Sequence, residues 1–158
     1  MIFKNNKLIQ YLFHKILSES SCLGNVIFYL FFICLQFVIG EKLLSFKLVI
    51  ALIVSYLIIV PIRLLYYKDR PIQQQYNNWF EKIESSSFPS MHATRIIFIA
   101  LFFINYYKNI FVTILFVILT LIIGSSRIYL KKHFLSDVIV GYFIGIIIFI
   151  GVEILFKF

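Results

Sequence analysis

The stretch IFVTILFVILTLIIGSSRIYLKKHFLSDVIVGYFIGIIIFIGVEIL, residues 110–155, decides the fold. An uncharged apolar run from about Ile110 to Ser126 gives way to a short basic segment ending at His133. A second apolar run then extends from about Leu135 to Phe156. A helix needs ~20 mostly apolar residues to cross a bilayer, and these two runs have that character. Toward the N-terminus, a third run from about Ser90 to Tyr107 is parted from Ile110 only by Lys108 and Asn109, so the two form an antiparallel hairpin. Two further runs, about Leu23–Gly40 and Leu43–Ile62, flank Glu41 and Lys42, with Lys47 near enough to an end to snorkel. The chain of 158 residues is 61% hydrophobic and 14% charged, and its mean hydropathy is +0.95. Soluble domains average about 45–50% apolar and about 25% charged residues. The expected fold is therefore an all-α integral membrane protein with about five transmembrane helices. It forms a single domain, 1–158, without repeat or linker. The composition rules out a disordered chain and speaks against a soluble globular enzyme.

Ahead of the first run, Ile9, Leu12, Phe13 and Ile16 recur at helical spacing, with Lys7, Gln10 and His14 on the other side. This reads as an N-terminal amphipathic surface helix rather than a cleaved signal. Fifteen Lys and Arg against seven Asp and Glu give a net charge of +8. The basic residues are scattered between apolar runs, which suits anionic headgroups or phosphate and not nucleic acid. The expected partners are thus the lipid bilayer and a membrane lipid carrying phosphate. Cys22 and Cys34 lie about 18 Å apart along a helix, beyond disulfide reach, and read as small apolar residues.

Five crossings put the N-terminal helix, residues 63–89 and residues 127–133 on one face, and Glu41, Lys42 and Lys108 on the other. Three clusters stand on the first face. Arg63 is followed after six residues by Arg70-Pro71. Pro89-Ser90-Met91-His92 opens the third span. Ser126-Arg127, five residues, His133, three residues and Asp137 join the fourth span to the fifth. Arginine holds phosphate through two aligned hydrogen bonds. His133 and Asp137 are four apart, so on a helix they share a face, and a carboxylate on one ring nitrogen leaves the other free to attack. Ser90 and His92 sit at a helix start, where unpaired N–H groups favour an anion. His92 there can protonate a departing oxygen. A single arginine at a span end is most often a headgroup contact, but ionisable groups entering a span are costly and default to functional candidates.

The three clusters resemble the signature of the type 2 phosphatidic acid phosphatases (PAP2), the membrane branch of the superfamily that also holds vanadium haloperoxidases. That signature reads Lys-six-Arg-Pro, Pro-Ser-Gly-His and Ser-Arg-five-His-three-Asp. The third cluster matches in full. Arg63 stands for the usual Lys and keeps the charge. Met91 stands for the usual Gly, keeping the backbone N–H for phosphate while its side chain narrows the pocket. The resemblance implies that His133 attacks phosphorus, Asp137 orients it and His92 protonates the leaving group. Arg63, Arg70, Ser90, Met91 and Arg127 would hold the phosphoryl oxygens, with Arg95 and Ser126 as further candidates. It implies no cofactor and no metal.

The expected activity is hydrolysis of a lipid phosphate monoester or diphosphate through a phosphohistidine. Undecaprenyl diphosphate, phosphatidylglycerol phosphate, phosphatidic acid and lipid A phosphates all qualify, and the sequence leaves the choice and the oligomeric state open. A lipid phosphotransferase with the same intermediate and a non-catalytic anionic-lipid binder are the alternatives. The motif face carries more Lys and Arg, which argues for the cytoplasmic side. The resembled bacterial enzymes act mostly at the outer face of the cytoplasmic membrane, and a multi-pass protein with its site there is the expectation. Tyr76, Trp79 and Phe80 read as interfacial anchors, Lys131 and Lys132 as headgroup contacts, and Glu153 as a residue of the opposite surface.

Overall fold

A computed structural model describes residues 7–20, 24–72 and 75–157. Cys22 and Leu23 lie outside the described residues, as do the side chains of Lys7, Ile9, Gln10 and Phe13. The described residues form seven helices and no strand: α1 (Lys7–Ser20), α2 (Val26–Ile39), α3 (Lys42–Leu65), α4 (Trp79–Ser85), α5 (Met91–Tyr107), α6 (Ile110–Tyr129) and α7 (Leu135–Leu155). Each of the five apolar runs is a helix. By length and composition, α3, α6 and α7 are long and apolar enough to cross a membrane, while α2 and α5 are shorter apolar helices of 14 and 17 residues.

The short α5 is the centre of the bundle. It packs on α7 and α6 most extensively and on α3 as well, and Ala93, Ile96, Phe98, Ile99, Ala100, Phe102 and Phe103 are all buried. The outer helices turn large apolar side chains outward, among them Phe31, Leu57, Phe111, Leu121, Phe143 and Ile147. Apolar surface of that extent calls for lipid. Neighbouring aromatic rings, such as Tyr29 against Phe98 and Phe103 against Phe116, fill the interior edge to face or tilted.

The seam between α5 and α7 is set by two small residues one turn apart. A Cβ on Gly141 would fall 2.7 Å from the Ser90 carbonyl oxygen, and one on Gly145 would fall 2.6 Å from that of Thr94. Bare glycines let the two backbones meet, and the Thr94 hydroxyl closes the contact by donating to the Gly141 carbonyl at 3.0 Å. The first turns of α5 and α7 are thereby locked together, and the Ser90 N–H donates to the Asp137 carbonyl at 3.0 Å. The segments carrying His92 and His133 are adjacent because of this seam.

The N-terminal helix is present and packs on α6. Leu17 is buried, Leu12 and Ile16 are exposed, and the His14 ring lies 6.0 Å from that of Tyr129. At the opposite end of the bundle, Lys47 does not snorkel alone. It pairs with Glu153 across α3 and α7 at 2.9 Å, because a lysine and a glutamate facing one another inside an apolar bundle cost less paired than apart. The polar connection between α3 and α5 is not a bare loop. Asn78 accepts from the Glu81 N–H at 2.8 Å and starts the short α4.

Candidate active site

The polar connection supplies the first wall. Arg63, in the last turn of α3, is buried and donates from Nη2 to the Pro89 carbonyl at 2.8 Å and from Nη1 to that of Ile83 at 3.2 Å. Its Nε is buried without a hydrogen-bond partner among the described residues. Arg70 donates from Nη2 to the Glu84 carbonyl at 2.5 Å. Both arginines therefore hang the segment from Ile83 to Pro89 in front of α5 by its carbonyls, which orient the guanidinium groups without neutralising their charge.

The second wall is the start of α5. Met91 and His92 reach the open space, whereas Ser90 is fully buried and its hydroxyl caps the Ala93 N–H at 3.4 Å. The His92 ring lies against Gly24, where a Cβ would come within 2.7 Å of ring Cδ2. Arg95, one turn further, is buried and donates to the Gly24 carbonyl at 3.1 Å and to the Tyr56 hydroxyl at 3.1 Å.

His133 forms the third wall, just before α7. Its Nδ1 lies 2.6 Å from the Ser87 carbonyl oxygen. A carbonyl only accepts, so Nδ1 carries the proton and a neutral ring keeps its lone pair on Nε2. Burial lowers the His133 pKa from 6.5 to about 3, and the charge of Arg127 acts in the same direction. Arg127 itself is buried, its carbonyl accepting from the His133 N–H at 3.2 Å. Ser126 is buried too, but its hydroxyl bonds back to the Ile123 carbonyl at 2.7 Å.

Asp137 departs from the sequence expectation. Among the described residues, no hydrogen bond or ion pair joins it to His133. Its fully buried carboxylate accepts from Lys68 Nζ at 2.6 Å and from Ser136 Oγ at 3.2 Å on one oxygen. On the other it accepts from the Phe134 N–H at 2.9 Å and from the Ser87 hydroxyl. The reason is positional. Four-residue spacing brings side chains together only inside a helix, and α7 begins at Leu135, after His133. Asp137 instead occupies the third helical position and reaches back to cap Phe134.

These walls enclose a cavity of about 420 Å³ lined by Arg63, Arg70, Arg95, His92 and His133 together with Met91, Tyr56, Trp79 and Phe80. Two histidines and three arginines thus face one space sized for a phosphoryl group and the first part of its leaving group. Of the expected set, Arg127, Asp137, Ser90 and Ser126 do not line it. Four residues that the sequence reading did not single out belong to the site's frame: Lys68, Ser87, Tyr56 and Gly24. Their partners are distant in the chain, so no local spacing announces them.

Against known proteins, the PAP2 superfamily model matches residues 44–157. YbjG of Escherichia coli (strain K12), which carries the provisional name undecaprenyl-diphosphatase, is 30% identical over 119 residues, covering 75% of this chain and 60% of its own length. The crystal structure of Aquifex aeolicus LpxE superposes with a TM-score of 0.74 at 22% identity, over 97% of this chain and 99% of that one. The crystal structure of the first transmembrane PAP2 type phosphatidylglycerolphosphate phosphatase from Bacillus subtilis gives 0.73 at 18% identity, over 97% and 88%. Both structures share the fold.

Proposed function

The chain belongs to the PAP2 superfamily, and from that premise we propose that it is a membrane lipid phosphatase working through a phosphohistidine. His133 Nε2 attacks phosphorus in line. The bond from phosphorus to the lipid oxygen breaks as His92 gives that oxygen a proton. Arg63, Arg70 and Arg95 offset the charge on the equatorial oxygens, which is where catalysis of phosphoryl transfer chiefly lies, and Arg127 adds its positive charge from outside the lining. Water then attacks the phosphohistidine, passing a proton to His92, and inorganic phosphate leaves.

The observation that carries this reading is that His92, His133 and three arginines open onto one cavity, with His133 held in the tautomer that bares Nε2. The substrate belongs to the class of lipid phosphate monoesters and diphosphates. The provisional name of YbjG puts undecaprenyl diphosphate first in the panel, followed by phosphatidylglycerol phosphate, phosphatidic acid and lipid A phosphates. We further propose a bacterial cytoplasmic membrane as the setting, which the bacterial origin of the relatives supports, with the site at its outer face.

Purified protein in detergent, given this panel without added metal, is expected to release inorganic phosphate, with inhibition by vanadate. The His133→Ala protein is expected to be inactive. Full activity of His133→Ala, or recovery of the phosphoryl group in an acceptor lipid with none free, would overturn the hydrolase.

A further inference from the structure

We infer that Lys68 is a positioning residue, acting on His133 through Asp137 and Ser87. The inference rests on the reading of His133 as the nucleophile.

Asp137 is completely buried, and a buried carboxylate needs a cation or several donors to stay ionised. Lys68 is the cation paired with it among the described residues, at 2.6 Å with the ammonium only partly exposed. The lysine is itself held. Its Nζ lies 4.5 Å over the Phe134 ring and 5.8 Å from that of Phe88, and it donates to Ser136 Oγ at 3.3 Å. The other oxygen of Asp137 accepts from the Ser87 hydroxyl, and the Ser87 carbonyl fixes His133 Nδ1 at 2.6 Å.

The backbone of Lys68 closes the loop. Its carbonyl accepts from the Ser87 N–H at 2.7 Å, and its own N–H donates to Ser86 Oγ at 3.3 Å. One residue therefore grips Ser87 twice, directly by main chain and indirectly by side chain through Asp137. Ser87 presents the oxygen that decides where the imidazole points. None of these groups lines the cavity, so Lys68 touches neither the phosphoryl group nor the reacting atoms. Removing its charge leaves Asp137 buried and unbalanced. A carboxyl that takes up a proton no longer accepts from both Ser87 and Phe134 as before, and the Ser87 carbonyl loses its support.

The test compares Lys68→Met, Lys68→Arg, Ser87→Ala and the double variant Lys68→Met/Ser87→Ala with the wild type. Lys68→Met is expected to lower kcat by about 10- to 100-fold, as for other residues that orient a reactive group from behind. KM and competitive inhibition by inorganic phosphate should stay within about twofold, because the arginines are untouched. Lys68→Arg should recover most of the rate. The double variant should be no slower than the slower single one, since both act on one path. Wild-type kcat in Lys68→Met, a parallel loss of phosphate inhibition, or multiplicative losses would each overturn the inference.

A second readout needs no turnover. With ¹⁵N-labelled histidine, the Nδ1 resonance of His133 should move in Lys68→Met and return in Lys68→Arg, and an unmoved resonance would sink the proposal. No phosphate release by the wild type, together with this shift in Lys68→Met, would count against the phosphatase reading and leave the positioning role standing.

Discussion

At the scale of the residue, the defining property of His133 is that it refuses a proton. Burial, and then the charge of Arg127, bring its pKa from 6.5 to about 3. The unfolded chain takes up a proton near 6.5, and the folded protein does so only near 3. Between those values the unfolded state binds more protons, so stability falls as pH drops through this window and the loss is complete below it. His133→Gln lacks this term. Thermal unfolding in detergent should therefore show the wild type losing ground against His133→Gln as pH falls from about 7 to about 5; parallel curves would mean that His133 titrates normally. The identity of the ionisable set was legible in the sequence because charge entering an apolar span is rare enough to stand out. Which atoms meet was not. The His133 and Asp137 spacing suggested a shared helical face, yet α7 starts between them, and Asp137 turned to Lys68, 69 residues back along the chain.

At the scale of the element, the five apolar helices could be read from the chain because lipid rewards long uncharged runs whatever their neighbours. The seven-residue α4 went unread as a helix, although Asn78 followed by Glu81 at the third position is a capping pattern. The order of packing was not legible either. That the short α5 would be central follows from Gly141 and Gly145 on α7, which mean little until both backbones are in view. Gly145→Ala would set a methyl 2.6 Å from the Thr94 carbonyl oxygen and closer still to Ile97, forcing α5 and α7 apart. A loss of about 1–3 kcal/mol is expected from such overpacking. Gly151, on the same helix, has open space around it, and Gly151→Ala should be neutral or slightly stabilising. Melting temperatures of the two variants in one detergent check the contrast, and equal shifts would contradict the seam.

At the scale of the whole molecule, the two ends of the bundle differ in kind. One end holds the cavity. The other is tied by the Lys47–Glu153 pair, the Tyr107 hydroxyl on Gln36 at 2.9 Å and the Tyr106 hydroxyl on Glu41. Lys108 stands at that second end, between α5 and α6. With Cys22 and Cys34 replaced by serine, a cysteine at Lys108 should resist an impermeant thiol reagent in intact bacterial cells and react after lysis. Labelling of intact cells would put the cavity on the cytoplasmic side. A final consequence follows from the rim of the cavity, where Trp79 and Phe80 line the opening and are also largely exposed. Rings of this kind settle among headgroups, so a lipid can offer its phosphate while its tails stay among their neighbours. For the lipid phosphatase proposed above, encounter is then a two-dimensional search, and the quantity that saturates it is the substrate's mole fraction in the bilayer, not its molarity in the flask.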